Sequence, residues 1–361
     1  MKPNKFFYLL ILIFLLTLAF RLHFTFNANN FSNDGAYFNL RYIEHVLENK
    51  APMFYDELSY GGRLIISPPL FYIIMALLSL GSITLLKLLP ELFISSLVFI
   101  IYFMAKDVSD NKYAALFAAL LSGFIPIFLQ ETLNTISIYS LALPLLFFIL
   151  YCSLRLDNKK FMWAFIVSVF LLALTHSIAF VLIITVVIYL LLLSGRALTP
   201  TKIKKEAFLF AILLILLTEF ILYKRALFTY GIDVIGQNIP INIISDQYRA
   251  LSVPELLIGI GILPLILGSI GVYIGISREK KKSIYFYSAF VIAILVLLAL
   301  RLITISTGLM IVGIAFTVFS SLTIVKITEY FNKTRFNAFN YFLIPSVLIL
   351  FIVSSFIPSY T

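Results

Sequence analysis

Charge, cysteine and histidine are scarce in this chain, and each scarcity removes a class of function. Only 12% of its 361 residues are charged, against 61% hydrophobic, so one water-soluble core cannot hold all of the apolar surface. A single cysteine, Cys152, excludes an intrachain disulfide. The three histidines, His23, His45 and His176, show no metal-ligand spacing. Barrel-type alternation, internal repeats, low-complexity tracts and a soluble domain of useful size are all missing. The net charge of +10 does not point to nucleic acid, because the basic residues sit in short tracts between apolar runs, the pattern of cytoplasmic loops.

What is present is a series of apolar runs. A helix needs about 20 residues to cross a bilayer, and its backbone bonds close internally. The sequence therefore predicts an all-α, polytopic membrane protein, a single transmembrane domain over 1–361 with about eleven spans. They fall near 6–24, 88–105, 113–129, 137–153, 161–175, 177–194, 207–222, 255–276, 284–300, 304–325 and 338–356. The N-terminal run follows Lys2 and Lys5 and leads into RLHFTF with no small-residue cleavage site, so it reads as a retained first span. The run 68–80 is short for a span. Placing it at the outer leaflet leaves most Lys and Arg residues on the side of the N-terminus, which is then cytoplasmic. The protein is expected in the cell membrane, among membrane lipids, with long external loops at 25–87 and 223–254.

The first external loop concentrates the polar chemistry. Asp34 follows Ser32 and Asn33, either of which suits a helix N-cap. Asp34, Arg41 and Glu48 then recur at sevens, with Tyr37 near the same stripe. By residues alone this reads as a capped, amphipathic interfacial helix. Asp56, Glu57, Tyr60 and Arg63 form a second polar group around Gly61 and Gly62, whose ordinary reading is a turn holding a salt bridge. Gly271 and Gly275 read as a helix-packing pair.

The order of these features, Asp34 with Tyr37 after the first span, then Pro52, Phe54 and Tyr55, then PPLFYIIMAL, resembles the GT-C superfamily of membrane glycosyltransferases. The nearest likeness is to the aminoarabinose-transferase and protein O-mannosyltransferase branch, and NLRYIEHVLENKAPMFYDELSYGGR looks like archaeal relatives of the oligosaccharyltransferase catalytic subunit. The resemblance implies transfer of a sugar from a polyprenyl-phosphate-linked donor on the non-cytoplasmic face, with Asp34 as the catalytic carboxylate. Glu131 is the acid available to form a two-carboxylate site with it. Tyr37, Arg41, Tyr60, Arg63, His176, Arg225, Arg249 and Arg301 become candidates for holding substrate, the arginines through a guanidinium fork on the carrier phosphate. LALTHSIAF looks like the L-T-K-G-P turn of the aminoarabinose branch, with His176 in place of Lys.

There are departures. Gly35 stands where the mannosyltransferase-like pattern has a second acid, and Ile138 and Ser140 stand where the oligosaccharyltransferase has its D-x-E metal motif. A divalent metal is doubtful on that ground, and no other cofactor is indicated. Two rivals therefore stand beside the enzyme: a non-catalytic subunit on the same scaffold, with an unknown partner subunit, and a transporter or flippase for a lipid-linked solute. The transporter expects ionisable residues near the midplane and repeated halves.

Overall fold

The computed structural model describes residues 5–58, 62–65, 67–231, 252–279 and 281–333. Nearly all of these are helical. The expected span at 338–356 lies outside the described residues, as do Tyr60, Arg249 and most of the loop 223–254.

Six helical stretches are long and apolar enough to cross a bilayer, and two bent pairs raise that number to as many as eight. The first is α1 (Lys5–Asn27). Two consecutive helices, α4 (Ile83–Ser95) and α5 (Leu97–Ser109), together make the second. The third, Ser177–Ser194, joins a single 3-10 turn to α10 (Phe180–Ser194). It is followed by α11 (Lys202–Tyr230).

The bent pairs have local causes. After α6 (Lys112–Ser122), Pro126 opens α7 (Pro126–Thr132) at an angle of 48°, because proline is tolerated at a helix start and not in its interior. The expected span 255–276 is instead α12 (Val253–Ile260) and α13 (Ile262–Arg278), meeting at 101°. Gly261, at φ 84°, supplies the left-handed corner. The last two spans are α14 (Lys282–Ala299) and α15 (Ile305–Asn332).

Two further apolar segments are short: α8 (Tyr139–Ser153) has 15 residues and α9 (Lys159–Thr175) has 17. About eleven spans therefore reduces to six to eight by length and composition among the described residues.

The core is built on α15, whose residues from Thr307 to Ile324 are all buried. Helix α13 lies against it so closely that a Cβ on Gly268 would come within 2.3 Å of Phe316 and one on Gly271 within 2.2 Å of the Phe319 carbonyl oxygen. This is the close backbone approach that small residues allow in a membrane, where packing rather than water drives association.

The segment between α1 and α4 folds beside this bundle. Helix α2 (Asp34–Asn49) buries Ala36, Tyr42, Ile43 and Val46 against α3 (Leu70–Ser79), which contributes Phe71, Tyr72 and Met75. With ten residues, α3 is about 15 Å long, half a hydrocarbon core. Between them a two-residue hairpin pairs β1 (Tyr55–Asp56) with β2 (Arg63–Leu64).

Candidate functional site

Asn33, not Ser32, caps α2: its side chain accepts from the Ala36 amide and also from the Thr135 hydroxyl at 3.1 Å. Ser32 takes the opposite part, its amide and hydroxyl both donating to the loop 133–134. The Asn134 amide group returns a bond to the Asn30 carbonyl at 2.8 Å, and Asn39 donates to the Ile136 carbonyl. The segment 30–39 is thus stitched to the turn after α7, and Asp34 begins its helix beside that seam. The Asp34 side chain itself is exposed, as is that of Tyr37, whose ring meets Phe31 edge-on at 5.7 Å.

The seam is anchored by a buried group of charges. Arg21 is wholly buried and its Nε donates to Glu91 at 2.6 Å. The other Glu91 oxygen accepts from Thr25 at 2.9 Å and from the Asn134 amide at 2.8 Å. Arg21 Nη2 donates to the carbonyl and hydroxyl of Thr132. An isolated charge at this depth is prohibitively costly, so each side chain explains the other's burial. The spans are accordingly not free of internal charge.

Glu131 lies on the same turn, with Ser306 at the start of α15 near enough to act on its carboxylate. Next to Ser306, Thr307 shares a 2.7 Å hydrogen bond with Tyr139 and receives one from Thr304. The Tyr139 ring stands 5.1 Å from that of His176. His176 connects α9 to the 3-10 turn, and its Nδ1 accepts from the Ile178 amide at 2.9 Å. That bond needs a lone pair on Nδ1, so a neutral ring carries its proton on Nε2. Desolvation acts the same way, holding the imidazole down to about 4.

Arg301 turns the chain into α15 with φ 56° and is exposed. Arg225 is exposed near the end of α11. Glu131, His176 and Arg301 thus stand at the junctions of neighbouring helices, and Arg225 stands near the end of α11, which packs against α9.

Arg41 is committed elsewhere: its Nη2 donates to the buried Asp56, which also accepts from the Leu58 amide. Asp56 therefore follows the salt-bridge reading of its loop. For Arg63 only the backbone is described, in β2. Tyr72, missed as a site residue, stacks on Tyr42 at 3.8 Å and bonds Asn39 and Ser67. Burial raises both tyrosine hydroxyls, that of Tyr72 to about 12. A groove of about 640 Å³ is lined by Leu190, Ala197, Leu198 and Phe208 and touches none of these residues.

Among the described residues no three His, Cys, Asp or Glu side chains converge on a point, and Ile138 and Ser140 bring no carboxylate to the turn after α7. The donor set does not fit a divalent metal there.

A long first span, an amphipathic helix opening on Asp34 and a bundle built on α15 make a polytopic α-helical membrane architecture. Solved structures carry this fold: an archaeal oligosaccharyltransferase, AglB from Archaeoglobus fulgidus, in complex with an inhibitory peptide and a dolichol-phosphate, superposes with a TM-score of 0.72 at 12% identity over 99% of this chain and 55% of that one. A second structure of the Archaeoglobus fulgidus oligosaccharyltransferase, in complex with Zn and sulfate, gives 0.72 at 13% identity over 96% and 52%. The chain spans about half the length of either. No family model and no curated protein matches the sequence.

Proposed function

We propose that the protein is a membrane glycosyltransferase that moves a sugar from a polyprenyl-phosphate-linked donor to an acceptor on the non-cytoplasmic face. The observation that carries this reading is the superposition of 99% of the chain on an oligosaccharyltransferase whose structure includes a dolichol-phosphate. In this reading the acceptor nucleophile attacks the anomeric carbon, its proton passes to Asp34 and the bond to the carrier phosphate breaks with its electron pair on phosphate. Arg301, Arg225, Arg249 and Arg63 supply cationic stabilisation of that leaving group, and the Nε2–H of His176 adds a neutral donor. Glu131 supports the acceptor side, and Tyr37 and Tyr60 border it. Arg41 serves the loop through Asp56.

Purified protein in liposomes, given a panel of polyprenyl-phosphate hexoses and a lysate-derived acceptor fraction, is expected to release free polyprenyl phosphate in an acceptor-dependent way. No release from any member of the panel would sink the proposal.

A second reading, a GT-C scaffold serving as a non-catalytic subunit, is favoured by one feature. The Asp34 carboxylate is exposed and makes no hydrogen bond or ion pair among the described residues, and no acid occupies positions 138 or 140. That scaffold would bind the lipid and release nothing.

A further inference from the structure

Among the described residues, Glu219 is a buried acidic side chain inside a span that the arrangement above leaves unexplained. On α11 the residues Leu216, Leu217, Phe220 and Ile221 are about half exposed and face lipid, while Ile215, Thr218 and Glu219 turn inward. Glu219 is 2% exposed, and neither of its carboxylate oxygens has a hydrogen-bond partner. Glu91, at the same degree of burial, has both oxygens bonded. Buried polar groups are almost always satisfied in a native structure, and an ionisable group at membrane depth marks a site.

The surroundings indicate what completes it. One turn further along α11, Tyr223 lies near enough to Ser177, Glu219 and Tyr72 for each to act on its hydroxyl. Ser177 adjoins His176, and Tyr72 stacks on Tyr42 beneath the helix that Asp34 opens. Glu219 thus presents two unfilled acceptor oxygens, with the Tyr223 ring one turn away. A sugar offers the complement: neighbouring hydroxyls that donate to both oxygens of one carboxylate, and C–H faces that rest on rings.

We propose that Glu219, with Tyr223 beside it, is the subsite that binds the sugar of the lipid-carried donor, its carboxylate accepting from two adjacent hydroxyls. The proposal rests on the donor reading given above. Loss of one charge-assisted pair of this kind weakens binding about tenfold.

The test uses full-length protein in liposomes and dicyclohexylcarbodiimide, an apolar reagent that captures unpartnered carboxyl groups as N-acylureas, read by peptide mass spectrometry. Glu219 is labelled and Glu91 is not. Glucosyl- or mannosyl-phosphoryl polyprenol at about ten times its Kd cuts Glu219 labelling about tenfold, and bare polyprenyl phosphate leaves it unchanged. In native mass spectrometry Glu219→Gln weakens binding of the glycosylated lipid about tenfold and leaves binding of the bare lipid intact. The subsite is overturned if Glu219 is not labelled, if a glycosylated lipid shown to bind gives no protection, if bare lipid or a simple alkylammonium protects equally, or if Glu219→Gln binds both lipids as the wild type does. If neither lipid binds the wild-type protein, the donor reading itself is overturned and the subsite with it.

Discussion

His176 shows how a residue's role follows from which of its atoms is already engaged. With Nδ1 accepting from the Ile178 amide, only Nε2 remains to act, and it acts as a donor. Its folded value near 4 lies below the usual 6.5, so between those limits the unfolded chain binds the extra proton. The His176 share of stability is then complete above about pH 6.5 and is lost as pH falls towards 4. Replacing His176 with Gln should flatten that part of the stability–pH curve, measured by thermal unfolding in detergent between pH 4 and 7; an unchanged slope would contradict the assignment. Asp34 could be found in the sequence because a cap pair followed by an acid is a local pattern, and the structure has Asn33 as that cap. Arg21 and Glu91 could not be paired from sequence, being 70 positions apart. Their one signal was that each stands inside or at the edge of an apolar run, where a lone charge has no ordinary place. Glu219 carried the same signal.

At the scale of elements, the buried group of α1, α4 and α7 fixes the turn on which the segment entering α2 rests. Glu91 holds Arg21, Thr25 and the Asn134 amide together, and Asn134 holds Ser32 and Asn30. Glu91→Leu leaves the Arg21 charge buried and uncompensated, a loss of about 3–5 kcal/mol. Pairing it with Arg21→Met should restore most of that stability, since a buried ion pair replaced by apolar side chains of similar volume is often nearly neutral. Denaturant unfolding of the single and double variants checks this, and a single variant as stable as the wild type would contradict it. The apolar runs located the helices well because hydrocarbon burial is a local property of sequence. Corners were less legible. The break at Gly261 and the bend before Pro126 depend on two backbone positions inside runs that otherwise read as continuous.

At the scale of the whole molecule, the chain places a polar cluster at one end of a hydrocarbon bundle and a buried, unpartnered Glu219 within it. Repeated halves, which a transporter would use, are missing from the sequence. The overall architecture was legible from the order of Asp34, Tyr37 and PPLFY between the first apolar runs. The network that supports it was not, because it is made by residues far apart in sequence and brought together only by packing.

The most direct measurement is sugar transfer by the wild type and by Asp34→Asn, both correctly inserted and equally stable, from the same polyprenyl-phosphate donor. Loss of a positioned proton acceptor predicts a fall in kcat of about 100-fold or more with donor binding unchanged. Full transfer activity in Asp34→Asn would contradict the account.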